Sequence, residues 1–171
     1  MFRAIERAVH RWDTERRIRR QGWTGIYVGD YRTSPTWAYT IGFLSSLGAP
    51  EVILFDVPQE GANGIFWKIF EELKAGELVM RDGEAWASSD KPVVWREVHP
   101  SRYVDDEQPW LGLAQSLGCI MAGPSAPEFR AFQLVLSDQD GRLPWEPQYD
   151  ERLRPLQRAL YLPAETPAHM P

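Results

Sequence analysis

Residues 51–57 read EVILFDV, and turn formers close the run on both sides: Leu47-Gly48-Ala49-Pro50 before it, Pro58 after it. A short apolar run rich in β-branched and aromatic residues fits a strand better than a helix. With no polar face between Val52 and Phe55, it fits the middle of a sheet and not its edge. The chain therefore has to assemble the remaining strands around this one. Its 171 residues are enough for one domain with a real core.

The strands that could flank it lie nearby. Residues 23–29 (WTGIYVG) and 36–43 (TWAYTIGF) form two strand-like runs on either side of the turn-rich DYRTSP. They read as an antiparallel hairpin. In the second run Trp37, Tyr39, Ile41 and Phe43 would share one face, and Thr36, Ala38, Thr40 and Gly42 the other. A face of small residues leaves room for a backbone or a ligand. After the central strand, Pro58 opens a helix whose stripe is Ile65, Phe66, Ile69, Phe70 and Leu73, with Gly76 placed to cap it.

Further on, ELVMR and EAWAS around Asp82-Gly83 suggest a second hairpin. PVVWREV at 92–98 and FRAFQLVLSD at 129–138 suggest two more strands. A short helix is expected over 108–117, capped by Asp105 or Asp106, with Pro109 in its first turn and Gly118 at its end. Trp110, Leu113, Ala114 and Leu117 would face inward. A last helix is expected over 152–160. At the N-terminus Phe2, Ile5, Val9 and Trp12 recur at helical spacing and predict an amphipathic helix that Gln21-Gly22 stops. The expected fold is α+β: a mostly antiparallel sheet with this N-terminal helix and two or three further helices. The expected organisation is a basic helix over 1–21, one domain over 22–162 and a frayed Pro/Ala-rich tail over 163–171.

Charge divides the chain unevenly. Residues 1–20 hold seven Arg against three acids, a net of +4, while the whole chain is −5, so the remainder carries −9. An acidic body argues against general nucleic-acid binding. The basic helix has too few bulky apolar residues to favour a membrane surface, and it is expected to pack on its own domain through Phe2, Ile5, Val9 and Trp12. The lone Cys119 cannot form an internal disulfide or a cysteine-rich metal cluster, which fits a reducing, cytoplasmic setting. No apolar run approaches the ~20 residues that span a bilayer.

Chemistry-bearing residues are sparse. No phosphate-binding glycine loop, dinucleotide fingerprint, HExxH or calcium loop is present, so no cofactor and no metal is expected. His99 follows a strand, beside Arg96, Glu97 and Arg102; it suits either a general base or a loop histidine bonded to backbone. Cys119, in the apolar context LGCIMA, reads as an inert thiol. Arg96 and Gln133 interrupt apolar strands and by alternation should face solvent. Asp138-Gln139-Asp140-Gly141 reads as turn chemistry. Eight Trp suit a thick core or an aromatic-lined concavity.

Tyr39-Thr40-Ile41-Gly42, then Pro50-Glu51-Val52-Ile53 with Pro58, then Gln133-Leu134-Val135 with Asp138, Gly141, Pro144 and Trp145, resemble a bacterial family known as domain of unknown function 4262. The resemblance runs from about Gly22 to Leu156 and implies a fold boundary without an activity. Where that family's pattern has His-Pro-Glu, this chain has Ala49-Pro50-Glu51. Residues 36–74 bear a weaker, local resemblance to suppressor-of-fused-like domains, which implies a protein-binding or immunity-like role.

Two functional classes remain open. One is a module that binds a protein or a small ligand at a concavity formed by Tyr39, Thr40 and Glu51, with Arg96, His99 and Gln133 at the same end of the sheet. The other is a small hydrolase or transferase using Glu51, Arg96 and His99. In a third reading Glu51 only ties down the loop before its strand.

Overall fold

A computed structural model describes the backbone of residues 2–29, 36–103 and 110–164, and side chains within those ranges from residue 11 onward. Five strands form one sheet in the order β1-β2-β3-β5-β4: β1 (Thr24–Val28), β2 (Trp37–Ile41), β3 (Glu51–Phe55), β4 (Val93–Glu97) and β5 (Ala131–Leu136). β3 is the central strand and is buried along its whole length. Every neighbouring pair is antiparallel except β3 with β5.

Each face of the sheet is covered. On one face α3 (Gln59–Ala75) lays Ala62, Phe66, Ile69 and Phe70 over Val52, Leu54, Phe132 and Leu134. Pro58 precedes the helix, and Gly76, at φ 74°, closes it with N–H bonds back to Glu72 and Leu73 carbonyls. Trp23 sits in this layer with its ring centroid 5.8 Å from that of Phe43 and 6.0 Å from that of Phe66. The other face holds Tyr39, Ile41, Ile53 and Phe55 against Leu111, Ala114 and Leu160. The indole N–H groups of Trp23 and Trp95 are buried without a partner among the described residues. Packing area therefore outweighs their lost hydrogen bonds, and the tryptophans of this layer belong to a thick core.

Several sequence expectations are corrected. Phe43 does not continue β2; it opens a short helix, α2 (Phe43–Leu47), where a loop was expected. Gly42, at φ 117°, turns the chain so that Phe43 crosses to the α3 side. The Asp82-Gly83 turn exists, with Gly83 at φ 81°, but its flanks do not pair with each other. Residues 83–86 instead lie along β4: Gly83 N–H donates to Trp95 O, Trp95 N–H to Glu84 O, and Trp86 N–H to Val93 O. Trp86 is buried there, and its indole N–H donates to Glu72.

The expected helix over 108–117 starts outside the described residues, as do its caps Asp105 and Asp106 and the turn residue Pro109. Gly118 does not end it. A π-helical turn, Ala114–Gly118, runs directly into α4 (Cys119–Ala122), which stops at Gly123. Gly118 packs beside Ile41 and Glu51: a Cβ there would lie 3.7 Å from Ile41 Cγ2 and 3.9 Å from Glu51 Oε1, ordinary contact distances.

Residues 152–160 form turns, not a helix. Two glutamine amides lace this segment to β5. Gln157 accepts from Leu136 N–H and donates to Leu136 O, at 2.9 and 2.8 Å. Gln133 is buried, not solvent-facing; it donates to Arg158 O and accepts from Leu160 N–H. Backbone bonding of this kind to the sheet competes with a helical ladder.

α1 (Phe2–Gln21) is a helix, but Trp12 is 63% exposed and is not its anchor. The side chains of Phe2, Ile5 and Val9 lie outside those described. Among the described side chains of α1, Ile18, 4% exposed, and Thr14 are the buried ones.

These contacts order the local stabilities. Amide exchange is expected to be slowest across Val52–Phe55 and faster across 78–87, and the reverse order in a hydrogen-exchange experiment would contradict the central placement of β3. Ile18→Ala should cost about 2–4 kcal/mol in chemical unfolding, whereas Trp12→Ala should fall within about 0.5 kcal/mol of the parent.

Candidate functional site

Glu51 begins the central strand, and its carboxylate is wholly inside the protein. Oε2 accepts from Thr40 Oγ1 at 2.6 Å, while Oε1 accepts from the backbone N–H groups of Gly42 at 2.9 Å and Leu44 at 3.2 Å. Thr40 Oγ1 in turn accepts from Val52 N–H at 2.9 Å. The reason is local. The first N–H groups of a helix have no partner inside it, and Gly42 has no side chain with which to cap α2. A carboxylate from the next strand takes over that role.

Gly42 cannot be replaced by a residue with its own cap. A Cβ there would stand 2.6 Å from Gly22 O and 2.8 Å from the Cα of Trp23, and its φ is already 117°. The small face read from the sequence is thus occupied by the chain's own backbone, at the junction of α1 and β1.

Burial raises the pKa of Glu51, and the hydrogen bonds from Thr40, Leu44 and Gly42 oppose that shift. Cys119 lies close by, and its thiol is also pushed up, first by burial and then by the Glu51 charge. A thiol held protonated in this way is a poor nucleophile.

Three of the other candidates, Tyr39, Gln133 and Arg96, share one row across the sheet. Tyr39 is opposite Ile53, Ile53 opposite Gln133, and Gln133 opposite Arg96. Residues directly opposite project from the same face. Burial pushes the Tyr39 phenol up to about 12, with a backbone hydrogen bond from Leu113 acting the other way. Arg96 pairs with Asp82 at 3.0 Å and lies between the rings of Trp145 and Tyr161, 5.4 and 4.2 Å from their centroids. His99 caps the single 3₁₀ turn Pro100–Arg102: its Nδ1 accepts from Ser101 N–H, and its backbone N–H donates to Leu160 O. Thr40 and Glu51 are therefore brought together. Gln133, Arg96 and His99 instead meet the C-terminal segment. Among the described residues, no group of His, Cys, Asp and Glu could hold a metal ion.

Asp138 is the opposite case to Glu51. Burial raises its pKa, but the N–H groups of Arg142, Asp150 and Asp140 point at its carboxylate and the net shift is downward. The Asp138–Gly141 text is turn chemistry, as its spacing implies.

Sequence reading missed the surface over this network. Two open grooves meet at Arg19. One, of about 420 Å³, is lined by Trp12, Glu15, Arg16, Arg19 and Arg20. The other, of about 450 Å³, is lined by Ile18, Arg19, Gly22, Ser45, Ser46 and Met121. Arg11 and Arg17 are paired with Glu15 and Asp13. Among the described residues Arg16, Arg19 and Arg20 have no carboxylate partner. The excess of arginine was the available signal; which arginines are uncompensated required the helix geometry. No described helix is long and apolar enough to cross a membrane.

The chain belongs to the family described as domain of unknown function (DUF4262), whose model matches residues 17–150. The local resemblance to suppressor-of-fused-like domains gains no support from this match. No curated protein and no solved structure matches the chain.

Two variants separate shape from charge at Glu51. Glu51→Ala leaves the Thr40 hydroxyl and the N–H groups of Gly42 and Leu44 unpaired and should cost about 3 kcal/mol or more. Glu51→Gln keeps an acceptor and should cost about 1 kcal/mol at mildly acid pH. A raised folded pKa means that native Glu51 holds its proton more tightly than unfolded Glu51. Its contribution is complete below the ordinary Glu range and is lost as pH rises through the folded value. The Glu51→Gln deficit in urea unfolding should therefore shrink as pH rises above the ordinary Glu range. For Asp138, with a lowered pKa, stability is present above the ordinary Asp range and is lost as pH falls through the folded value. Asp138→Asn should flatten the acid limb of the stability curve.

Proposed function

We propose that this protein is a cytoplasmic binding module for an acidic segment of another protein, taken up along the two grooves that meet at Arg19. One observation carries the reading: Arg16, Arg19 and Arg20 stand exposed and, among the described residues, without carboxylate partners beside an exposed Trp12, on a chain whose remaining residues are strongly acidic. Arg16 lies 5.7 Å from the centroid of the Trp12 ring, so the face offers an aromatic surface and a guanidinium together.

The second groove supports a peptide over a simple anion. Ser45 Oγ donates to Gly42 O, and Ser46 Oγ donates to Gly22 O. Both hydroxyl protons are thus used within the protein, and the two oxygens present only acceptor lone pairs. A ligand that complements Arg19 on one wall and these oxygens on the other carries carboxylates and N–H donors together. A protein segment has both. Ile18 and Met121 add apolar contact between the walls.

In this reading Glu51 and Thr40 are positioning residues that fix α2, and with it Ser45 and Ser46. Binding by preset groups loses less side-chain freedom than binding by mobile ones.

The test is fluorescence anisotropy with a labelled peptide of alternating Glu and Leu. Binding should weaken with added salt, and Arg19→Glu should weaken it about tenfold or more. Inorganic phosphate and duplex DNA should not compete. Equal binding by the parent and Arg19→Glu, or equal binding of a neutral peptide, overturns the proposal.

A further inference from the structure

We infer that the outer edge of β1 is a self-association edge, on which β1 of one copy pairs antiparallel with β1 of a second copy about a two-fold axis at Ile26.

The two edges of the sheet are treated differently. The β4 edge is closed by the chain itself, through the hydrogen bonds of residues 83–86. The β1 edge pairs only with β2 on its inner side, and among the described residues no segment hydrogen-bonds to its outer backbone. Exposed edges are ordinarily protected by Lys, Pro, an inward charge or a bulge. β1 reads Thr-Gly-Ile-Tyr-Val and has none of these; its five residues pair with β2 without a break.

The space beside the edge is open. A groove of about 470 Å³ runs along it, lined by Thr24, Gly25 and Tyr27 of β1, by Arg17 and Gln21 of α1, and by Gln59, Glu60 and Asn63 of α3. An incoming strand would meet the sheet edge there without first displacing a packed element.

The strand complements itself. Antiparallel pairing about Ile26 sets Ile26 against Ile26, Thr24 against Val28 and Gly25 against Tyr27. β-branched residues opposite one another are favourable cross-strand pairs. β1 itself carries no charge, so no like charges oppose one another between the paired strands. A single edge-to-edge contact is small, and a Kd on the order of 10 µM is expected.

Sedimentation velocity on the full chain across a concentration series tests this, with two variants. Gly25 has no positive φ, so the backbone accepts Gly25→Lys, but a Cβ there would stand 2.6 Å from the Tyr27 hydroxyl and 2.9 Å from its Cζ, and the ring has to swing aside. Tyr27→Glu removes the hydrogen bond from the Tyr27 hydroxyl to Asn63 Oδ1 and the contact of its half-buried ring with the core under α3. The parent should dimerise. Each variant alone should associate about tenfold more weakly or worse. An equimolar mixture of the two should associate again, because the register sets position 25 of one copy against position 27 of the other. A parent that stays monomeric overturns the inference. So does a dimer unchanged in either variant, or a mixture no stronger than its components. If a variant fails to fold, amide exchange of the parent decides. Protection of alternate β1 amides should rise with protein concentration, and protection independent of concentration overturns the pairing.

Discussion

The Glu51 carboxylate is the constraint on which the centre of this fold depends. It joins three consecutive pieces of chain: the end of β2 through Thr40, the start of α2 through Gly42 and Leu44, and β3 to which it belongs. Removing an ionised carboxylate from water is costly unless several donors replace the lost hydration. Three donors converge here, and the π-helical turn at Gly118 covers the carboxylate with backbone, not a side chain. An apolar residue at position 51 would avoid the desolvation but leave those donors buried and unpaired. The carboxyl group is thus retained for the geometry it specifies, and desolvation raises its pKa.

The C-terminal segment is fixed by the same principle with neutral groups. Gln133 reaches out from β5 to the backbone at Arg158 and Leu160, and Gln157 reaches back to the backbone at Leu136. Each amide supplies one donor and one acceptor and so imitates a strand partner. This explains why polar residues interrupt an apolar strand without weakening it. It also explains why Gln133, Arg96 and His99 lie toward one segment: all three hold it in place, Arg96 by its contact with Tyr161 and His99 by its bond to Leu160 O.

Legibility in the sequence followed the range of the interactions. β3 and α3 could be read because their signals are local: an unbroken apolar run in one, a 3.6-residue stripe with Pro58 and Gly76 at its ends in the other. Gly118 does not end its helix because its backbone stays right-handed, at φ −59°, and such a glycine looks, in sequence, like one that turns left-handed and ends a helix. The Asp82-Gly83 turn was correct as a turn and wrong as a hairpin, since its partner strand is β4 and the preference of Asp-Gly says nothing about which strand is available. Glu51 and Thr40 were singled out together, but whether Glu51 points at a ligand or at backbone N–H groups depends on α2. That helix was invisible: five residues are too few to show a period. The exposed arginines were visible as composition only, because pairing at i, i+4 removes Arg11 and Arg17 and leaves Arg16, Arg19 and Arg20 among the described side chains.

Charge and shape act at different ranges at the proposed groove. Arg16, Arg19 and Arg20 lie on the helix that carries the chain's positive excess, and the body beneath is acidic. An acidic partner is therefore drawn to one face of the molecule and repelled from the rest, which selects orientation before contact. Within a Debye length the guanidiniums no longer distinguish one carboxylate from another. Discrimination then falls to groups with fixed directions, and the hydroxyl oxygens of Ser45 and Ser46 have theirs set by bonds to Gly42 O and Gly22 O. Both carbonyls belong to glycines in left-handed or near-left-handed turns, at φ 117° and 92°, packed against each other. The direction of the recognition groups thus traces back to the same junction that the buried carboxylate holds together. A change at Glu51 would be felt in the groove as lost alignment before it was felt as lost charge.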